Sequence, residues 1–171
     1  MSVSRCWIPM GAIVAGLAVA AGALGAHGLD HRFHVQYEGE EFVKKVVIDG
    51  KEREVSRIPL AQKYLADFKT GAEYQMYHGL ALILVGFLSR NRPSKFLNVA
   101  GWCFVAGCLG FSGGLYAYTL TGVKWFGMTI VPLGGILFLV GWTTLAVSTW
   151  RSRNASSPTE FEVSTIGSPP R

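Results

Sequence analysis

Four apolar stretches, residues 7–26, 73–88, 97–118 and 128–150, occupy nearly half of this 171-residue chain. At 1.5 Å per helical residue, about 20 apolar residues cross a bilayer core of about 30 Å. Half of all residues are hydrophobic and 21 are glycine, and glycine is commoner in membrane helices than in soluble ones. The expected fold class is therefore all-α membrane: a four-transmembrane-helix bundle in one domain, residues 1–153. A short β-hairpin is expected in its first extramembrane loop, and a disordered tail over 154–171.

The stretch FKTGAEYQMYHGLALILVGFL (Phe68–Leu88) organises the rest. Its polar beginning (Glu73, Tyr74, Gln75, Tyr77, His78) runs straight into apolar helix, and in lipid such groups need partners. Thr70-Gly71-Ala72-Glu73 fits a capping box, with Thr70 as helix cap and Glu73 reaching back to it. Before it, Pro59 suits a first helical position. Leu60, Tyr64, Leu65 and Phe68 share one face, so residues 59–69 read as a short amphipathic helix able to lie in the membrane interface.

In the first stretch Arg5 precedes the apolar run. A cleaved signal peptide is the competing reading, with Ala18-Val19-Ala20 or Ala21-Gly22-Ala23 as the cut site. Small residues four apart (Ala18 and Gly22, Ala21 and Gly25) instead suit close helix packing in lipid. His27, His31 and His34 follow. The first two are one turn apart, but spacing identifies no third metal ligand. Glu41–Ile48, Asp49-Gly50 and Lys51–Ile58 form the strongest short hairpin signal, two β-prone runs around a type I′ turn. An isolated hairpin is marginal in water, so this one should rest on something. The third span carries Ala106, Gly110 and Gly114 on one close-packing face, with Gly113-Gly114 expected to loosen it. A kink is expected near Pro132 in the fourth.

The chain holds 16 Lys and Arg against 11 Asp and Glu. The unpaired positive charges flank apolar runs, so anionic lipid headgroups are the expected partner, not nucleic acid. Arg5, the Arg90–Lys95 loop, and Arg151 with Arg153 fall on one side of a four-span protein. The positive-inside bias makes that side cytoplasmic, with both termini on it, and leaves the hairpin and Lys124 outside. Cys6, Cys103 and Cys108 form no CxxC pair and read as apolar filler.

Antiparallel spans bring one polar layer together near the outer interface: His27, Glu73, Tyr74, His78, Ser112, Tyr116 and Lys124. Its plainest interpretation is structural, since Tyr and Trp belong in interfacial belts and a buried His can bond a neighbouring helix. The sharper one is a functional cluster in which Glu73 with His78 or Lys124 binds a ligand headgroup or relays a proton. Two histidines on adjacent helices would also suit haem. Neither a Ser-His-Asp order, nor a phosphate-cradling glycine loop, nor a paired-carboxylate layout is present, which disfavours an enzyme. No cofactor is expected. Three readings stand: a structural or accessory component packing through Gly/Ala faces with itself or a larger complex, a small-solute or proton carrier or channel, and a haem or metal protein.

GALGAHGL (Gly22–Leu29), TGAEYQMYHGLAL (Thr70–Leu82), FSGGLYAYTL (Phe111–Leu120) and TIVPLGGILFLVGW (Thr129–Trp142) together resemble the small membrane proteins catalogued as domain of unknown function 423. The resemblance covers about three quarters of the chain and all four spans. It implies an integral bacterial inner-membrane protein that keeps its first span, and it assigns no role to the matching residues His27, Glu73, Tyr74, His78, Ser112, Tyr116, Pro132 and Gly134. The region from about Phe33 to Ile58 and the tail after Arg153 depart from that pattern.

Overall fold

The computed structural model describes residues 6–91 and 93–154. Arg5, Arg92 and the tail from residue 155 onward lie outside the described residues, whereas Asn154, expected in the tail, ends the last helix. The order is helix, hairpin, then three helices. Among the described residues three helices are long and apolar enough to cross a membrane: Trp7–Gln36, Lys95–Thr121 and Phe126–Arg151. The second helix, Leu60–Asn91, is not among them, because its middle carries the polar run Glu73–His78.

The first helix does not stop at Ala26. After Trp7–Ala23 it passes through a π-helical turn, Leu24–Gly28, and continues as Leu29–Gln36. The extramembrane insertion, expected from sequence over residues 31–58, therefore begins only after Gln36. Trp7 is fully buried in the main apolar core and donates from Nε1 to Asn98 Oδ1 at 3.2 Å. The segment that resembled a signal peptide is thus packed into the bundle. A Cβ on Gly79 would lie 2.8 Å from the Ala15 backbone nitrogen, so the first two helices touch backbone to backbone. In lipid, where apolar burial between helices gains little, such close van der Waals approach is what holds helices together.

Strand β1 (Glu41–Ile48) pairs antiparallel with β2 (Lys51–Pro59). Asp49 at φ 52° and Gly50 at φ 73° make the expected turn, with both central residues left-handed. Lys44 faces Ser56 and Lys45 faces Glu54, so Val55 bulges out of the ladder. Both faces of the ribbon are largely exposed. It meets the bundle at its base: Leu60 N–H donates to Glu40 O at 2.9 Å, and the Lys63 ammonium sits 5.0 Å from the Phe42 ring centre.

Residues 59–69 and 73–88 are not two elements. Leu60–Asn91 is one helix, about 48 Å long at 1.5 Å per residue, and Pro59 ends β2 instead of opening it. Thr70 caps nothing; its Oγ1 donates to Ala66 O at 3.0 Å. Once the preceding turn is helical, the N–H groups that a cap would satisfy already have carbonyl partners. The expected apolar face of 59–69 exists, but Tyr64 and Phe68 bury against Phe33 and Tyr37 of the first helix and do not lie flat on a membrane.

The third helix begins at Ser94, whose Oγ accepts from Phe96 N–H at 3.2 Å, and ends at Gly122 with φ 72°. A π-helical turn at Cys108–Ser112 sits just before Gly113, where loosening was expected. The fourth helix opens with another, Phe126–Ile130, immediately upstream of Pro132, which has no N–H to donate. Gly110 and Gly114 face the fourth helix at Gly134 and Val131. Outward, Leu17, Leu109 and Leu139 stay more than half exposed, the signature of helices whose outer surface is solvated by lipid.

Candidate functional site

His78 is 4% exposed and fully engaged. Its Nδ1 lies 2.7 Å from Tyr74 O, which obliges Nδ1 to carry the proton and donate it. Nε2 is then the acceptor, and it receives the Trp142 indole N–H at 3.2 Å. The ring stacks on Phe138 with centroids 3.4 Å apart and 7° between planes, and Phe104 stands at 5.5 Å. The neutral tautomer is thereby held by a carbonyl on one side and an indole donor on the other.

A second network ties three helices one turn away. Tyr116 OH donates to Gln75 Oε1 at 3.0 Å, and Gln75 Nε2 donates to Val14 O at 3.0 Å. Ser112, on the π-helical turn, is wholly buried, and its Oγ has no hydrogen-bond partner among the described residues.

The expected single polar layer divides. Tyr74 and His78 do meet, with ring centroids 6.2 Å apart, and Tyr116 joins Gln75. Glu73 is exposed and lines a shallow cleft with Ala18, Gly22 and Lys69. Lys124 is exposed and lines a different one. His27 is exposed on the first π-helical turn. The reason is angular: residues 73 and 78 are five apart, roughly 140° around a helix, so when His78 enters the bundle Glu73 turns away. His34 Nδ1 donates to Asp30 O at 2.8 Å. Among the described residues no three His, Cys, Asp or Glu gather to hold a metal.

Trp142, Phe104, Phe138 and Gln75 were not in the expected cluster. Trp142 had a legible signal. It sits in the middle of a span, where an interfacial belt does not explain it, and its indole N–H needs an acceptor there.

At the hairpin end of the bundle, an aromatic group joins the hairpin base to the helices. Tyr37 OH donates to Thr119 O at 3.1 Å, and the Tyr64 ring packs edge-on between Tyr37 and Tyr118, at 4.7 and 4.9 Å. Burial pushes the Tyr64 hydroxyl up to about 12, with the Tyr118 hydrogen bond adding to it. Burial likewise raises Tyr37. The Lys63 ammonium pairs with Asp67 at 2.5 Å and lies over Phe42, Tyr64 and Tyr118 at 5.0–5.5 Å. Beside it opens a cleft of about 730 Å³.

Residues 21–135, from just before the first π-helical turn through the start of the fourth helix, match the family model described as Protein of unknown function (DUF423). The chain belongs to this family. A UPF0382 membrane protein of Staphylococcus aureus (strain bovine RF122 / ET3-1) is 37% identical over 147 residues, 86% of this chain and 97% of that protein. The UPF0382 membrane protein YwdK of Bacillus subtilis is 35% identical over 145 residues, 84% of this chain and 95% of its own. A UPF0382 membrane protein of Staphylococcus epidermidis is 35% identical over 145 residues, 85% and 95% of the two chains. No solved structure matches. The relatives' names state a membrane location and no activity, in keeping with three apolar helices in this chain.

Proposed function

We propose that this DUF423 member is a structural or accessory component of the bacterial inner membrane, a four-span bundle that associates with a second copy or a larger complex through its first helix. One observation carries the reading. Gly16 lies between Ala12 and Ala20 on an exposed helix face, and a Cβ built on Gly16 meets nothing within 4 Å. The Gly/Ala positions singled out from sequence are mostly consumed inside the bundle: Ala18 is buried, Gly25 abuts Phe68, and Gly110 abuts Gly134. The Ala12–Gly16–Ala20 stripe is left over, and small residues four apart let a partner helix approach closely in lipid.

Four spans draw support from the second helix, which is drawn against the first at Gly79 and runs well beyond a bilayer core in length. The short connection between the third and fourth helices, Thr121 to Phe126, favours antiparallel neighbours. Orientation rests on the basic residues. Arg151 lies 5.4 Å from the Phe96 ring centre and Trp7 bonds Asn98, so the beginning of the first helix, the Arg90–Lys95 loop and the end of the fourth share one side. The positive-inside bias assigns that side, and both termini, to the cytoplasm.

Native mass measurement after gentle detergent extraction should find a defined oligomer or complex. Gly16→Ile should shift it to monomer without lowering helix content. A strictly monomeric, partnerless wild-type particle would overturn the reading. Reporter tags after Asp49 and Asn91 should fall on opposite sides, and tags on the same side would remove the four-span topology. The carrier reading draws less support, because His78 has both nitrogens engaged and Glu73 faces away from it. For haem, ligation through His78 Nε2 would first have to displace Trp142.

A further inference from the structure

The cleft at the hairpin base has a charge balance that selects a ligand class. Its volume of about 730 Å³ falls within the roughly 300–1,000 Å³ usual for small-molecule sites. Five ionisable carboxylates and ammoniums line it: Glu40, Glu41, Lys63, Asp67 and Lys124. Three are taken. Arg57 holds Glu41 at 3.0 Å, and Lys63 and Asp67 hold each other, with the Lys63 ammonium further enclosed by three rings. Glu40 and Lys124 remain, both exposed and with no ion pair among the described residues. They stand on separate elements, Glu40 just before β1 and Lys124 in the connection between the third and fourth helices.

One free negative and one free positive charge across a cleft fit neither a plain anion nor a plain cation, since each would leave one wall repelling it. A zwitterion satisfies both. Apolar side chains share the lining: Leu115 is buried within it, and Met128 is 76% exposed where the fourth helix begins. That gives the cleft an oily exit toward the outward-facing side chains of the spans.

We propose that this cleft binds a phosphate–ammonium zwitterion, the phosphate on Lys124 and the ammonium on Glu40. The head of an amino-phospholipid and a free amino-alcohol phosphate present the same pair of charges, and the apolar exit favours the lipid. The site does not depend on the self-association face, since Gly16 does not line it.

The test is native mass spectrometry of the full chain in detergent with phosphatidylethanolamine, phosphatidylglycerol or diacylglycerol added at defined concentration. Phosphatidylethanolamine should be retained at about tenfold lower concentration than either of the others, the effect of one additional charge-assisted contact. Lys124→Met should weaken its retention about tenfold. Glu40→Gln should abolish the preference over phosphatidylglycerol. Lys51→Gln, at the hairpin turn, should change nothing. Circular dichroism melts matching wild type would show each variant folded, as exposed positions allow. O-phosphoethanolamine at millimolar concentration separates the sources: displacement of the lipid assigns the site to a soluble zwitterion, and failure to displace assigns it to the lipid. Equal retention of phosphatidylglycerol and phosphatidylethanolamine by wild type would overturn the proposal, as would wild-type binding by the Glu40→Gln/Lys124→Met double variant.

Discussion

Gly134→Ala should destabilise the bundle by about 3 kcal/mol, and Gly134→Val should prevent its folding. A Cβ at this position would lie 2.7 Å from Gly110 C and 2.8 Å from Phe111 Cα, with the Phe111 nitrogen closer still. All three are backbone atoms of the third helix. No rotamer change relieves such a clash; the third and fourth helices must move apart. In lipid that separation forfeits dispersion contacts that no hydrophobic term replaces. Intrinsic helix propensity works the other way, since Ala is favoured over Gly by about 1 kcal/mol, so the steric term must exceed that gain. Gly22 supplies the internal control: nothing lies within 4 Å of a Cβ there, so Gly22→Ala should hold or raise stability. Thermal melts of the detergent-solubilised protein, followed by circular dichroism, read both. A Gly134→Ala melt equal to wild type would remove the close third–fourth helix crossing from this account.

His78→Ala should cost about 3 kcal/mol, whereas Glu73→Gln should stay within about 0.5 kcal/mol of wild type. The histidine fills the space between Phe138 and Phe104 and accepts the Trp142 indole proton. Truncation leaves a cavity on one side and an unpaired, part-buried donor on the other, and both terms add. Trp142→Phe separates them. It keeps an aromatic ring of smaller size, removes the bond to Nε2, and should cost about 1–2 kcal/mol. Glu73 is exposed, so neutralising it removes no packing. Chemical or thermal melts followed by circular dichroism decide. Equal melts for the histidine and glutamate variants would mean that the two residues share one environment, contrary to the geometry.

The hairpin shows how far local chemistry reaches. Asp49-Gly50 tolerates positive φ at two successive residues, and the flanking β-prone runs have no competing helical period, so the turn and both strands were legible before any contact was known. Val55 was not, because a bulge depends on how two strands accommodate one another. Thr70 shows the opposite case. Its capping box was a sound local signal, yet a cap matters only where a helix begins, and Tyr64 and Phe68 burying against Phe33 and Tyr37 kept the chain helical through it. Glu73 and His78 looked like neighbours because sequence distance was short, but the helical angle between them sent one outward and one inward.

Sequence alone determined that oily helices dominate this chain, that a wet hairpin interrupts them, and which family it belongs to. Those properties follow from hydropathy, turn preference and residue identity, which each segment carries by itself. Only the tertiary structure decided that Trp142 completes His78, that Gln75 bridges Tyr116 to the first helix, and that Glu40 and Lys124 line one cleft with no ion pair among the described residues. Partnership is set by where helices cross, and the crossings depend on which glycines let backbones meet.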